Sequence, residues 1–412
     1  MANIALLGHG VVGSGVAEVL LKNKQSLEAK LGEEINLAHI LDLREFDVPY
    51  KQRFTKDFDV ILNDKTVDIV VEVMGGLSPA YDFVKASLAS GKSVVTSNKE
   101  LVASKGAELL RLARENNVNF LFEASVGGGI PIIRPMHQCL AANEIKEVAG
   151  ILNGTTNFIL TKMIREQTSF ADALSLAQSL GYAERDPSAD VDGHDACRKI
   201  CILASLAYGK HVYPAQVKTE GITAITLADV AYAESAGCVI KLIGRCKKLE
   251  NGKLEIMVSP ALLPRDCQLG GVDDVFNGIL VRGDATGDVV FYGKGAGKLP
   301  TASAVVADII DEIKHKDTIR TLYWEDGEDS YVQDSADYRT RLYLCLKADD
   351  QGAALAVAQR LYGEVTPLAR SGASGECALL TSEHPEREHA HIIKELSDAG
   401  YPLIASIRML DY

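Results

Sequence analysis

The residues best able to do chemistry fall in one run, Glu184-Arg185-Asp186-Pro187-Ser188-Ala189-Asp190-Val191-Asp192-Gly193-His194-Asp195-Ala196-Cys197-Arg198-Lys199. Five carboxylates (Glu184, Asp186, Asp190, Asp192, Asp195) crowd twelve residues and lead straight into an apolar helical pattern of Ala196, Ile200, Leu203, Ala204 and Ala207. A solvated charge run rarely enters a buried helix. Gathered carboxylates hold a substrate ammonium group, and a lysine beside them exchanges a proton with a hydroxyl or carbonyl. Asp195 and Lys199 are four apart and share a helix face, although by itself such a pair also reads as an ordinary surface ion pair. A second lysine, Lys99, follows Thr96-Ser97-Asn98 at the carboxyl end of a strand pattern, where open α/β sheets bind their ligands.

Gly8-His9-Gly10-Val11-Val12-Gly13 is a complete G-x-G-x-x-G between a strand pattern and a helix pattern, the context of a dinucleotide site. Gly8 permits the tight turn, Gly10 the approach of a pyrophosphate and Gly13 close helix–strand packing. The anion then rests on the helix N-terminus. Asp42 is the acid expected at the end of the second strand, 29 residues past Gly13 because a polar insertion, 22–34, intervenes. Asp42 suits ribose hydroxyls and Arg44 a 2′-phosphate, so the sequence leaves NAD against NADP open.

These residues need a frame. Strand patterns at Asn3–Leu7, Ile35–Leu41, Asp68–Val73, Ser93–Thr96 and Asn119–Phe122 alternate with helical ones at Val11–Leu21, Pro79–Ala89 and Leu101–Asn116. The pattern predicts an α/β Rossmann-type doubly wound parallel sheet over 1–132, with a late helix from 297–317 packing back on it. Residues 133–296 read as an α+β substrate-binding and dimerisation domain. The polar, acidic stretch 318–337 reads as a linker, and 338–412 as a small βαββαβ domain. Its removal is expected to leave a competent core.

Hydrophobic content of 47 % and charged content of 24 % over 412 residues exclude a mainly disordered chain. A net charge of −13 argues against nucleic acid or an anionic membrane as the main partner. The start shows no signal-peptide pattern, no run of 18 apolar residues suggests a membrane span, and eight scattered cysteines suit a reduced, cytoplasmic protein.

The chain resembles homoserine dehydrogenases over about residues 1–315, through GHGVVG (8–13), TSNKELVA (96–103), FEASVGGGIPII (122–133), GILNGTTNFIL (150–160), GYAERDPSADVDGHDACRKICILA (181–204) and GKGAGKLPTASAVVADI (293–309). The resemblance implies reversible, NAD(P)-dependent interconversion of L-homoserine and L-aspartate 4-semialdehyde, on the route to threonine and methionine. It makes Lys199 the proton-transfer residue, Lys99 a second catalytic lysine beside nicotinamide and substrate, and Glu184, Asp190 and Asp195 substrate-site carboxylates. It also implies cofactor contacts from Thr96, Lys99 and Gly297. A structural sodium ion is implied at the Glu123 side chain and the carbonyls of Val126, Gly128 and Ile130. The tail resembles an ACT regulatory domain, implying a threonine effector or mere oligomerisation, in a homodimer or homotetramer.

Other readings fit less well. His194, Cys197 and Cys201 share a helix face but lack a fourth zinc ligand. His137-Gln138-Cys139 lacks the nucleophile loop of a thioester-forming dehydrogenase. His384, His389 and His391 read as solvated, and His9 has no assigned role. A non-catalytic dinucleotide sensor has no need of Lys99, Glu184, Asp190, Asp195 and Lys199 together. GILNGTTNFIL argues against another amino-acid dehydrogenase of the same architecture.

Overall fold

Short Val- and Ile-rich strands separated by helices bury both faces of a sheet, which requires parallel crossovers. The computed structural model describes every residue except 317 and 319–321, which belong to the expected late helix and linker and so lie outside the described residues. β1 (Ala2–Leu7), α1 (Val11–Lys22), α2 (Lys24–Leu31), β2 (Ile35–Leu41), β3 (Phe54–Thr55), α3 (Phe58–Asn63), β4 (Ile69–Glu72), α4 (Ala80–Ala89), β5 (Ser93–Thr96), α5 (Lys99–Glu115) and β6 (Phe120–Leu121) form the first layer. Its six strands run parallel in the order β3-β2-β1-β4-β5-β6. Side chains alternate between its two cores, Ala5, Leu7 and Val70 on one face and Ile4, Leu6 and Val71 on the other. The polar insertion is helical as α2, whose Gly32 cap has φ 73° and which buries only Leu27.

The rest comprises β7 (Ile145–Ile151), α6 (Gly154–Glu166), α7 (Phe170–Ser179), α8 (Ser188–Val191), α9 (His194–Tyr208), β8 (Lys218–Thr219), α10 (Leu227–Ser235), β9 (Cys238–Lys248), β10 (Leu254–Pro264), β11 (Phe276–Gly283), β12 (Gly287–Lys294) and α11 (Lys298–Lys314). After these come β13 (Arg339–Lys347), α12 (Gln351–Tyr362), β14 (Val365–Leu368), β15 (Glu376–Thr381), β16 (His384–Pro385), α13 (Glu386–Asp398) and β17 (Leu403–Met409). α11 returns to the first layer: Ala302, Val305 and Ile309 share a core with Val16, Ala17 and Leu20 of α1. β9 was missed in the sequence because Lys241 and Arg245 interrupt its apolar run. Both are paired, the buried Lys241 with Asp273 and the Val272 carbonyl, the partly buried Arg245 with Glu147 and Glu255.

A mixed sheet runs β12-β11-β7-β9-β10-β17-β13-β15-β14, with β8 on β10 and β16 on β13. The tail is therefore continuous with the layer before it, through parallel pairing of Ala261 with Arg408 and Leu262 with Met409. The stretch expected as a linker is, where described, packed down. Trp324 is 1 % exposed; its Nε1 donates to His211 Nδ1 (2.8 Å), whose Nε2 meets the Ala103 carbonyl of α5 (2.9 Å). Leu254 exchanges hydrogen bonds with Tyr331 and Gln333. His389 is not solvated either: it is buried between Tyr362 and the Thr340 carbonyl.

Arg408 locks the β10–β17 joint. Its buried guanidinium donates to both oxygens of Glu220, beside β8, and to both of Glu386, at the start of α13. Burial alone would raise the Glu386 carboxyl, but Arg408, Lys218 and Thr340 overcome it and hold it at about 2. Arg408→Met strands these carboxylates and should cost about 3 kcal/mol at neutral pH. Because the folded Glu386 value is depressed, its stabilisation is present above the ordinary carboxyl range and lost as pH falls toward 2. Chemical unfolding of the two proteins should therefore differ most above about pH 5 and converge in acid.

Candidate active site

The first layer prepares its cofactor end with backbone alone. Gly8 has φ 97°, and a Cβ on Gly13 would stand 2.0 Å from the Gly8 carbonyl oxygen. Gly10 caps α1 without a side-chain hydrogen bond, and the first turn carries no acid. A Cβ on Gly10 would meet only the Arg44 guanidinium, at 3.9 Å. Bare amides, an open approach and the helix dipole suit a pyrophosphate. Val11, 69 % exposed, and Val12 follow on the same turn. α11 starts beside it at Gly297, whose φ of 126° favours glycine, again uncapped by a side chain.

At the ribose end Asp42 accepts from the His9 N–H (2.8 Å), the Arg44 N–H (3.0 Å) and the Arg44 fork (3.0 and 2.9 Å). Arg44 and the neighbouring amides hold the Asp42 carboxyl below the usual carboxylate range. Arg44 lies over Phe46, and together with Lys51 and Lys56 it lines a pocket of about 280 Å³. His9 sits edge-on among Phe46, Tyr50 and Phe54, and burial lowers its pKa. Thr96 is wholly buried. Its hydroxyl donates to Glu72 (2.6 Å) and accepts from the Asn98 N–H (2.9 Å), so its side chain shapes the strand end rather than facing the cleft.

The acidic run meets both lysines. Asn98 caps α5, so Lys99 is the first residue of that helix; Gly193, at φ 85°, starts α9 and makes Asp195 its second residue. A lysine at a helix N-terminus opposes the dipole and an aspartate complements it, and here they are ion-paired. The buried Asp195 also accepts from Lys199 Nζ (2.7 Å) and Asn153 Nδ2 (2.8 Å). Lys199 Nζ gives a further bond to the Leu152 carbonyl (2.7 Å).

Electrostatics separates the two amines. Burial lowers Lys199, and Lys99 adds to it, against the pull of Asp195. Burial also lowers Lys99, but Asp195 and Asp190 outweigh it and the net shift is upward. Asp195 would be raised by burial, yet the two lysines hold it below the usual carboxylate range. Asp190 is raised by burial and by Asp195. The arrangement therefore offers two neighbouring amines shifted in opposite directions, Lys199 toward easier proton loss and Lys99 away from it.

A cleft of about 690 Å³ opens over this cluster, lined by Lys99, Asp190, Asp195 and Lys199, by the exposed Glu184, and by Gly297 from the cofactor end. The sequence-derived catalytic and substrate residues are thus brought together. Asn153 is a residue that sequence reasoning missed, though it lies in the GILNGTTNFIL stretch: it caps α6 and touches two of the acids.

The implied cation set lies at the start of the 123–130 turn. The Glu123 carboxylate accepts from the backbone N–H groups of Ile132 (2.6 Å) and Ile133 (2.8 Å) through Oε1 and from Arg134 (2.8 Å) through Oε2, which leaves Oε2 with a further acceptor position. The rest of that set is the main-chain oxygens of Val126, Gly128 and Ile130. Among the described residues no group of three or more His, Cys, Asp or Glu side chains is placed to hold a metal ion.

Gly13→Ala tests the cofactor end. With its Cβ so close to the Gly8 oxygen, the turn must open, and a dinucleotide should bind at least about tenfold more weakly, a loss of 1.4 kcal/mol or more. Fluorescence titration with reduced nicotinamide dinucleotide reads this directly; unchanged affinity removes the loop from the site.

Comparison with known proteins agrees with this geometry. The homoserine dehydrogenase family profile matches residues 131–310, and that of the homoserine dehydrogenase NAD-binding domain matches residues 8–123. The chain is 46 % identical over 312 residues to homoserine dehydrogenase of Neisseria gonorrhoeae, covering 75 % of this chain and 72 % of that protein. The crystal structure of a homoserine dehydrogenase from Thiobacillus denitrificans matches with a TM-score of 0.90 at 35 % identity, covering 100 % of this chain and 98 % of that one. A hyperthermophilic archaeal homoserine dehydrogenase in complex with NADPH matches with a TM-score of 0.64 at 31 % identity, covering 75 % and 97 %. No described helix is long and apolar enough to cross a membrane. Sequence identity of this degree, joined to a match along the whole fold, reaches beyond shared architecture: the chain belongs to the homoserine dehydrogenase family of NAD(P)-dependent oxidoreductases.

Proposed function

We propose that the cleft interconverts L-homoserine and L-aspartate 4-semialdehyde with Lys199 as the proton carrier. The observation that carries this is the buried Lys199 amine, lowered in pKa and aimed by Asp195 and the Leu152 carbonyl. In oxidation neutral Lys199 accepts the hydroxyl proton as the carbinol C–H bond breaks and the carbonyl forms. The nicotinamide, when bound, supplies the hydride acceptor. Lys99 stays charged and steadies the negative charge that builds on the reacting oxygen. Glu184 and Asp190 face the substrate ammonium. In the reverse direction Lys199 returns its proton to the alkoxide oxygen.

For the cofactor, the reading favours NADP. All of the Asp42 contacts point inward to His9 and Arg44, while Arg44, Lys51 and Lys56 gather positive charge where a 2′-phosphate would lie. Thr96 and Gly297 shape the cofactor cleft through the backbone. A cation at the 126–130 turn would be held by main-chain oxygens and takes no part in the chemistry. The βαββαβ tail, with strand order β17-β13-β15-β14, supports an ACT-like module that binds a small amino-acid effector such as threonine or joins subunits of a homodimer or homotetramer. The domain reading divides the chain into 1–132, 133–296 and 338–412. Eight free thiols suit a reducing compartment such as the cytoplasm.

Initial rates of nicotinamide reduction with L-homoserine at alkaline pH, run with NAD and NADP in parallel, test the reading. Lys199→Ala should lower kcat by about two orders or more while leaving dinucleotide affinity in place; near-normal turnover removes Lys199 from proton transfer. Arg44→Ala should raise KM for NADP about tenfold or more, by loss of a charge-assisted contact, with little change for NAD. An equal effect on both cofactors would sink the 2′-phosphate assignment.

A further inference from the structure

We infer that Asn153 is a positioning residue for the proton transfer, holding Asp190 and Asp195 side by side and setting the field at Lys199. This rests on Lys199 being the proton carrier. The Asn153 side chain is 5 % exposed, and all of its polar groups are engaged. Oδ1 accepts from the Thr156 N–H (2.9 Å) and hydroxyl (3.1 Å), closing the first turn of α6. With the oxygen fixed, the amide cannot flip, and Nδ2 must face the acids. It donates to Asp190 Oδ1 (2.6 Å) and Asp195 Oδ2 (2.8 Å).

That same Asp195 oxygen accepts from Lys199 Nζ. The residue before Asn153 supplies the other acceptor for this amine. Residues 152–153 thus grip Lys199 once directly and once through Asp195. Two carboxylates this close repel and tend to share a proton. A neutral amide between them supplies donor hydrogens without adding a titrating charge, so both acids stay in place while Lys199 keeps its access to the neutral form. The charged groups facing the cluster are Lys99 from α5, Asp190 from α8, and Asp195, Arg198 and Lys199 from α9, with Arg198 held by Glu100; Glu184 and Asp186 from the loop before α8 and Lys294 from β12 line the same cleft.

Asn153→Asp separates this role from helix capping. Aspartate caps a helix as well as asparagine does, but it brings a third carboxylate to the pair. Added negative charge favours the ammonium form of Lys199. The acidic limb of the kcat–pH profile for homoserine oxidation should then move up by at least about one unit, a tenfold loss of turnover at its foot. Turnover should recover toward the parent value at alkaline pH, with Kd for NADPH unchanged. Asn153→Ser, which keeps a cap but no longer reaches both acids, should move the limb the same way by less, and it decides the question if the aspartate variant does not fold. A lower melting temperature with the limb in place for both variants makes Asn153 a cap alone and overturns the proposal. Lys199→Ala, measured alongside, reports separately on the proton-carrier assignment: full activity there refutes that reading, whereas an inactive Lys199→Ala with an unmoved Asn153→Asp limb refutes only this one.

Discussion

A buried aspartate between two lysines is the interaction on which this structure turns. A lone carboxylate with the burial of Asp195 would be driven neutral. It stays ionised because Lys99 and Lys199 close on it from two helices and Asn153 supplies a further donor. The lysines belong to different layers, Lys99 to α5 of the parallel sheet and Lys199 to α9 against the mixed sheet. The charge cluster therefore joins the layers, and on the proposed mechanism a shift between them would also move the Lys199 amine relative to the substrate. A buried ion pair is weak evidence of stability. Here its value lies in driving the two amines apart, with the Lys99 pKa raised and the Lys199 pKa lowered.

The loop carrying the acids is fixed from behind by close backbone packing. A Cβ on Gly221 would lie 2.2 Å from the Val191 carbonyl oxygen, and one on Gly193 would press on Thr219 and Val258. The turn from α8 to α9 therefore rests directly on β8 and β10. Glu220, next to Gly221, is one of the two carboxylates held by Arg408 of the last strand. The tail thus pairs with the framework under Asp190 and Asp195, a connection the sequence could not show because strand pairing between β10 and β17 leaves no local signature.

Much of the frame was legible from local pattern. The glycine motif, five parallel strands and the helix His194–Tyr208 follow from periodicity and composition, since each is dictated by near neighbours. β9 escaped because its cations find partners far away, Lys241 on the 272–273 turn and Arg245 on two other strands. His389 was misread for the same reason, its partners lying 27 and 49 residues distant. Lys99, Lys199 and the acids could be named from the sequence, but the opposite direction of the two lysine shifts could not. That asymmetry depends on burial, which is nearly complete for the Lys199 side chain and dominates its shift, whereas the Lys99 side chain is partly exposed and Asp195 and Asp190 outweigh its burial.

The cofactor end shows why one site needs residues from both ends of the enzyme core. Gly15 of α1 has no room for a side chain because the Lys298 carbonyl oxygen would stand 2.8 Å from its Cβ. That contact brings the N-terminus of α11 against α1, placing two uncapped helix starts next to each other. Two such starts raise the positive potential where a pyrophosphate would lie, beyond what one helix supplies. The strand–turn–helix at residues 2–22 has the fingerprint of a dinucleotide site, and α11, which follows β12 of the mixed sheet in the chain, packs beside it. On the proposed function, docking α11 against α1 would tie the dinucleotide site to the layer that carries Lys199, as a hydride transfer between two separately bound molecules requires.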